Sequence, residues 1–217
     1  MWGVDELIPS EQEMINALKA REGAELQQRF ASAAVAVCGL GGLGSSIAVM
    51  LARAGVGRLI LIDFDRVDVT NLNRQQYKAS QVGRYKTDAL CENLREIAPY
   101  IRLEPYNLHI TAYNALRLIK GADVVCEAFD DAEAKAMLTN AVLTSAPDAF
   151  LVAASGMAGT GSANALKTRR VSKNFYLCGD GVTEAEDGVY LLPSRVMLCA
   201  AHQAHMVLRI LAGEFES

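Results

Sequence analysis

Apolar positions fall in short unbroken runs separated by longer stretches with helical spacing. Ala33–Cys38, Arg58–Ile62, Ile101–Tyr106, Asp123–Ala128 and Phe150–Ala154 read as strands. Between them, Leu43–Ala54, Tyr85–Ile97, Ala112–Lys120 and the alanine-rich Ala132–Thr144 read as helices. Continuous apolar strands alternating with helices mark βαβ units and a parallel sheet covered on both faces. The expected fold is a doubly wound, Rossmann-like α/β domain spanning 1–217. It divides into a helical arm over 1–30, a nucleotide-binding core over 31–155, and loops with a terminal helix over 156–217.

The arm, Ser10–Phe30, reads as a separate helix opened by the capping box Ser10-x-x-Glu13, with an interruption at Arg21-Glu22-Gly23. Beyond Ser155, the small residues of Gly156–Ser162 and the acidic, glycine-containing Gly179–Gly188 read as mobile loops beside a site. Pro193 stands where a first helical turn tolerates proline and opens the last helix.

Composition narrows the class. A chain of 217 residues, 51% hydrophobic and 21% charged, suits one globular domain with its own core. The net charge of −4, with no Lys/Arg run, points away from nucleic-acid and membrane-surface partners. Cys38, Cys91, Cys126, Cys178 and Cys199 are widely spaced and form no C-x-x-C, so neither a zinc ribbon nor a redox pair is indicated. Reduced thiols fit a cytoplasmic setting. Met1–Glu6 has no basic region leading into an apolar stretch, so no signal peptide is expected. Glycines and serines interrupt Ala33–Ala52, the most apolar segment, and a soluble protein is expected.

The candidate chemistry begins at Gly39-Leu40-Gly41-Gly42-Leu43-Gly44, directly after the first strand and at the start of the first helix. Glycines permit a tight turn and close approach of backbone N–H groups to phosphate, and the helix N-terminus favours negative charge. Asp63 ends the second strand, where an acid usually takes ribose hydroxyls. On these features alone, NAD and ATP fit alike. The next residues are densely polar, running from Asp65 through Asn71, Arg74 and Gln75, with Lys86 beyond. Hydride transfer has no use for such a set, whereas charge neutralisation in phosphoryl chemistry does. Asp130, just past an apolar strand, is a candidate Mg²⁺ ligand.

Together, the glycine loop, Asp63-x-Asp65, Asn71-Leu72-Asn73-Arg74-Gln75, Val82-Gly83-x-x-Lys86 and Phe129-Asp130 resemble the ThiF/MoeB/HesA family, bacterial relatives of the ubiquitin-activating enzymes. The likeness covers about residues 20–212. It implies an adenylyltransferase that uses ATP and Mg²⁺ to activate the C-terminal Gly-Gly carboxylate of a ubiquitin-like sulfur carrier. The implied roles are ribose binding by Asp63, triphosphate contacts from Asn71, Arg74 and Lys86, and Mg²⁺ held by Asp130. The compact form is most similar to short ThiF-type members, implying the thiamine-pathway carrier ThiS, with molybdopterin- or cysteine-pathway carriers as alternatives. An NAD-dependent oxidoreductase and a non-catalytic nucleotide sensor are the rival functions.

The chain also departs from the family pattern. It lacks the paired zinc cysteines of larger members, so no structural zinc is expected, and Cys178 stands alone. The stretch Gly179–Pro193 has no cysteine where many members carry a reactive one. The preferred expectation is an enzyme that stops at the acyl-adenylate and leaves sulfur to a separate donor, with a covalent role for Cys178 as the alternative. The family also implies a homodimer in which an arginine of the arm reaches across to the triphosphate. Arg21 ranks first for that task and Arg29 second. Cys199, His202 and His205 rotate off a common helix face and read as packing. His109 has no assigned role.

Overall fold

Ala34–Cys38 (β1) is five residues long and every one is buried, as a strand with helices on both faces requires. The computed structural model describes residues 8–185 and 189–217. Met1–Glu6 and the Glu186–Gly188 end of the expected acidic loop lie outside the described residues. The capping box forms as expected, with Ser10 and Glu13 bonding reciprocally, and opens α1 (Glu11–Glu22). The arm is two helices rather than one. Gly23 adopts φ 92° and separates α1 from α2 (Ala24–Ser32), which places the break at the expected interruption. No residue of α1 is buried, whereas α2 buries Gln27 and Phe30.

From β1 the chain runs through α3 (Gly42–Arg53), β2 (Arg58–Asp63), α4 (Lys86–Ile97), β3 (Arg102–Asn107), α5 (Ala115–Leu118), β4 (Val124–Glu127), α6 (Ala132–Ser145) and β5 (Phe150–Ala154). Next come β6 (Lys167–Ser172), β7 (Phe175–Gly179) and α7 (Pro193–Ala212). The seven strands lie in the order β3-β2-β1-β4-β5-β7-β6. All pairs are parallel except β6 with β7, an antiparallel edge hairpin that the apolar pattern did not announce. β6 reads Lys-Thr-Arg-Arg-Val-Ser and is mostly exposed, so it carries no apolar run. The expected helix over Ala112–Lys120 shrinks to the single turn of α5.

Alternation along each central strand divides the core in two. Val35, Val37, Leu59 and Leu61 face α3, α4 and α7. Ala36, Cys38, Ile60 and Ile62 face α5 and α6. Chain connections leave β1 in one direction and β4 in the other, which creates a crevice beyond the carboxyl ends of these two strands. Among the described residues, no helix is long and apolar enough to cross a membrane.

Leu61 is fully buried on the face of the sheet that α3 and α4 cover. Leu61→Ala is expected to lower unfolding free energy by about 2–5 kcal/mol, the usual range for such a cavity. Guanidinium denaturation checks it, the midpoint falling while the slope stays constant.

Candidate active site

The glycine loop is shaped by close approach. Gly39 turns with φ 89°, donates its N–H to the Ile62 carbonyl at 2.9 Å, and leaves no room for a side chain against Ala128. A Cβ on Gly44 would stand 1.8 Å from the Gly39 carbonyl oxygen, so α3 starts tight against the turn only because Gly44 is bare. Gly44 is buried and does not line the cleft, in contrast to Gly39, Gly41, Gly42 and Leu43.

Asp63, the last residue of β2, holds this loop. Its Oδ2 accepts from the Leu40 amide at 2.6 Å, and its Oδ1 accepts from the Asp65 amide at 2.8 Å. Each oxygen retains a lone pair for a ligand hydroxyl. Burial pushes the Asp63 carboxyl above its ordinary range, although the nearby Lys86 charge and the two amides oppose the rise. Lys86 begins α4, is itself buried, and donates its Nζ to Asp65 Oδ2 at 2.7 Å. The ammonium is thus held at the cleft wall beside the carboxylates.

The polar run after Asp63 folds into short turns. Asp68 caps one of them, and Asn71 Oδ1 accepts the Asp68 amide at 3.0 Å. Arg74 donates to the Thr70 carbonyl and to Asn73 Oδ1, and makes no ion pair among the described residues. Gln75 is buried, and its Oε1 has no hydrogen-bond partner among the described residues. A buried carbonyl oxygen left open is costly unless a ligand donates to it.

Asn71, Arg74, Gln75, Lys86, Asp63, Asp65 and Asp130 all line one open cleft of about 1530 Å³. The sequence-predicted site residues therefore converge, apart from Gly44 and the arm arginines. Arg21 is exposed at the end of α1 and does not reach the cleft of its own chain. Arg29 is tied elsewhere, bonding the Ala212 carbonyl at 2.8 Å and Glu25 at 3.0 Å. Asp130 is exposed at the mouth of the cleft. An exposed carboxylate there suits Mg²⁺, which takes one or two carboxylates plus substrate oxygens and keeps its waters. Among the described residues, no three His, Cys, Asp or Glu side chains cluster as a metal cage.

Two features of the cleft lining escaped the sequence reading. Glu127, 1% exposed at the end of β4, accepts from Lys135 at 3.0 and 3.1 Å, while Lys135 also bonds the Ala154 carbonyl. Burial raises the Glu127 carboxyl, and Lys135 opposes the rise. The sequence signal was an acid closing an otherwise apolar strand. The second is the Phe64 ring against His109, with centroids 4.7 Å apart, both on the cleft wall.

The thiols stand apart from this chemistry. Cys178 is fully buried on β7, and burial pushes its thiol up to about 11. Cys199 donates to the Cys178 carbonyl, and His202 bonds Thr168 at 3.1 Å, so both are engaged in packing α7 on the hairpin.

The sulfur carrier protein adenylyltransferase of Thermus thermophilus is 35% identical over 143 residues, 65% of this chain and 52% of that protein. The ubiquitin-like modifier-activating enzyme 5 of Oryza sativa is 35% identical over 127 residues, 52% of this chain and 30% of that protein. The chain thus spans at most about half the length of these curated relatives. In fold it is similar to the E. coli tRNA N6-threonylcarbamoyladenosine dehydratase solved with ATP, with a TM-score of 0.85, 22% identity, and coverage of 95% of this chain and 98% of that one. The E. coli MccB structure has a TM-score of 0.69 at 20% identity, covering 91% of this chain and 63% of that one. A family model described as the ThiF family matches residues 13–217, and the chain belongs to that family.

Proposed function

We propose that the chain is an ATP- and Mg²⁺-dependent adenylyltransferase acting on the C-terminal glycine carboxylate of a ubiquitin-like sulfur carrier. One observation carries this reading: Asn71, Arg74, Gln75, Lys86 and Asp130 share a single cleft with the glycine loop and Asp63. Hydride transfer to a nicotinamide would leave those five groups without a task. The thiamine-pathway carrier is the preferred substrate, on the chain's likeness to short members of the family. The relative from Thermus thermophilus named for a sulfur carrier favours the same class. An RNA substrate is disfavoured by the net charge of −4 and by Asp65, Asp68, Asp131, Glu133 and Glu184 around the cleft.

In the proposed reaction, a carboxylate oxygen of the carrier attacks the α-phosphorus. The new C(O)–O–P bond forms as the α–β bridging P–O bond breaks, and pyrophosphate departs with the electron pair. Asp63 receives the ribose hydroxyls on its open lone pairs. Backbone amides of the glycine loop and the N-terminus of α3 face phosphate oxygens. Arg74, Lys86 and the amides of Asn71 and Gln75 offset charge that moves onto pyrophosphate. Asp130 would hold Mg²⁺, which would supply Lewis-acid stabilisation of the same charge. The product is the acyl-adenylate, and the inert environment of Cys178 supports delivery of sulfur from a separate donor. A homodimer is part of the reading, since the exposed arm with Arg21 is free to approach the cleft of a second copy.

Asp130→Ala is expected to lower Mg²⁺-dependent ATP–pyrophosphate exchange about 100-fold or more while circular dichroism stays unchanged. Near-normal exchange in the folded variant removes Asp130 from the mechanism. Cys178→Ser is expected to keep carrier-dependent exchange and thiocarboxylate formation within about twofold of the parent. Loss of the thiocarboxylate alone would assign Cys178 the covalent step. Sedimentation is expected to give a dimer that dissociates on dilution, and Arg21→Ala to weaken exchange without changing that mass. A concentration-independent monomer refutes the shared site.

A further inference from the structure

Behind the cleft wall lies an ion pair that the adenylation chemistry does not use. Arg195, in the first turn of α7, donates to Asp180 Oδ2 at 2.6 Å, and both side chains are buried. The rest of its guanidinium is spent on one loop: Nε reaches the Met157 carbonyl at 3.4 Å, and Nη1 reaches the carbonyls of Gly161 and Ser162. Asp180 meanwhile organises the opposite loop. Its Oδ1 accepts the amides of Val182 and Thr183 at 3.0 and 2.9 Å, and its Oδ2 accepts the Thr183 hydroxyl at 2.8 Å. Further bonds stitch the same two segments, from Asp180 N to the Gly156 carbonyl, from Gly181 N to the Ser155 carbonyl, and from Ala158 N to the Thr183 hydroxyl.

The two segments abut and together form one stretch of the cleft wall. Ser155, Gly156, Met157 and Ala158 line the cleft from one segment, and Thr183 and Glu184 from the other, whereas Arg195 and Asp180 themselves do not line it. Gly156 sits so close to Asp180 that a Cβ would stand 2.1 Å from Oδ1. One guanidinium therefore ties the far end of a run of small residues, Met157 to Ser162, to the neighbouring loop through Asp180. A planar fork with five donors suits that task, because its bonds leave at fixed angles.

We infer that Arg195, acting through Asp180, is the positioning residue for the protein substrate: the pair latches the two loops into the cleft wall along which a side-chain-poor C-terminal tail reaches the α-phosphate. This rests on the adenylyltransferase reading above. The small residues Ser155, Gly156 and Ala158 let the backbone of a Gly-Gly terminus lie close against that wall. Asp63, Arg74 and Lys86 bond neither Arg195 nor Asp180, so loss of the latch is expected to change carrier binding more than ATP binding.

The test compares Arg195→Met, Arg195→Lys and the unaltered full-length protein, using the recombinant thiamine-pathway carrier of the same organism as probe. In Arg195→Met, Asp180 keeps its three local donors, so no bare carboxylate is left behind. The expected result is a KM for the carrier raised tenfold or more, kcat within threefold, and an ATP Kd within twofold. Arg195→Lys, which keeps the charge and loses the fork, falls between. Amides of 156–162 and of 181–185 lose hydrogen-exchange protection together, while those of β1 and β2 do not. A carrier KM within twofold of the unaltered protein, or unchanged protection of both loops, overturns the inference. Should Arg195→Met fail to fold, Asp180→Asn carries the same expectations, because its Oδ1 still accepts both turn amides while its amide nitrogen opposes Arg195. If the unaltered protein shows no carrier-dependent exchange, the adenylyltransferase reading falls. The latch is then judged on loop protection alone, paired loss supporting it and unchanged protection overturning it.

Discussion

The site depends first on one carboxylate and two amides. Asp63 closes β2 by accepting from Leu40 across the crevice and from Asp65 two residues ahead. The first bond fixes the glycine loop of β1 and α3 against the neighbouring strand. The second turns the chain so that Asp65 meets Lys86, and so aims the start of α4. Charge-assisted bonds to backbone amides are among the stronger hydrogen bonds available, and here they are shielded from water. The same burial makes the carboxyl harder to ionise, which the Lys86 charge partly repairs. Loop, acid and lysine form one electrostatic unit rather than three independent contributions.

Much of this unit was legible from the chain because it is written locally. Gly39–Gly44, Asp63 and Lys86 each sit at the boundary of a strand or helix, and apolar periodicity locates such boundaries well. Gly44 shows the limit of a fingerprint, since it matches the pattern of a phosphate contact and acts by letting α3 pack on Gly39. The β6–β7 hairpin was illegible for a different reason. An exposed edge strand of lysine, arginine and serine is stabilised by pairing with β7, and its own composition says little. Arg195 with Asp180 and Glu127 with Lys135 bring side chains from separate elements together, so neither spacing nor residue type foretold the partners.

These two unforeseen pairs divide the cleft's support between them. Glu127 and Lys135 join the ends of β4 and β5 through the Ala154 carbonyl, at the base of the crevice. Arg195 and Asp180 act one layer further out, where the chain leaves β5 and β7 as loops. Breaking either pair on one side strands a buried charge unless other donors remain, and that is generally more costly than never having had the pair. Asp180 has such donors and Glu127 has fewer, so the inner pair is the less forgiving of the two.

The five thiols lead to a different kind of consequence. They are distributed over β1, β4, β7, α4 and α7, all are buried, and burial raises every one of them above its ordinary value. Alkylating agents and peroxides need thiolate and access, and the closed molecule offers neither. Chemical ageing is then gated by opening. Each cysteine acts as a timer that advances only when its own layer of the sheet comes apart, so the order in which the five are modified would chart how the molecule unravels.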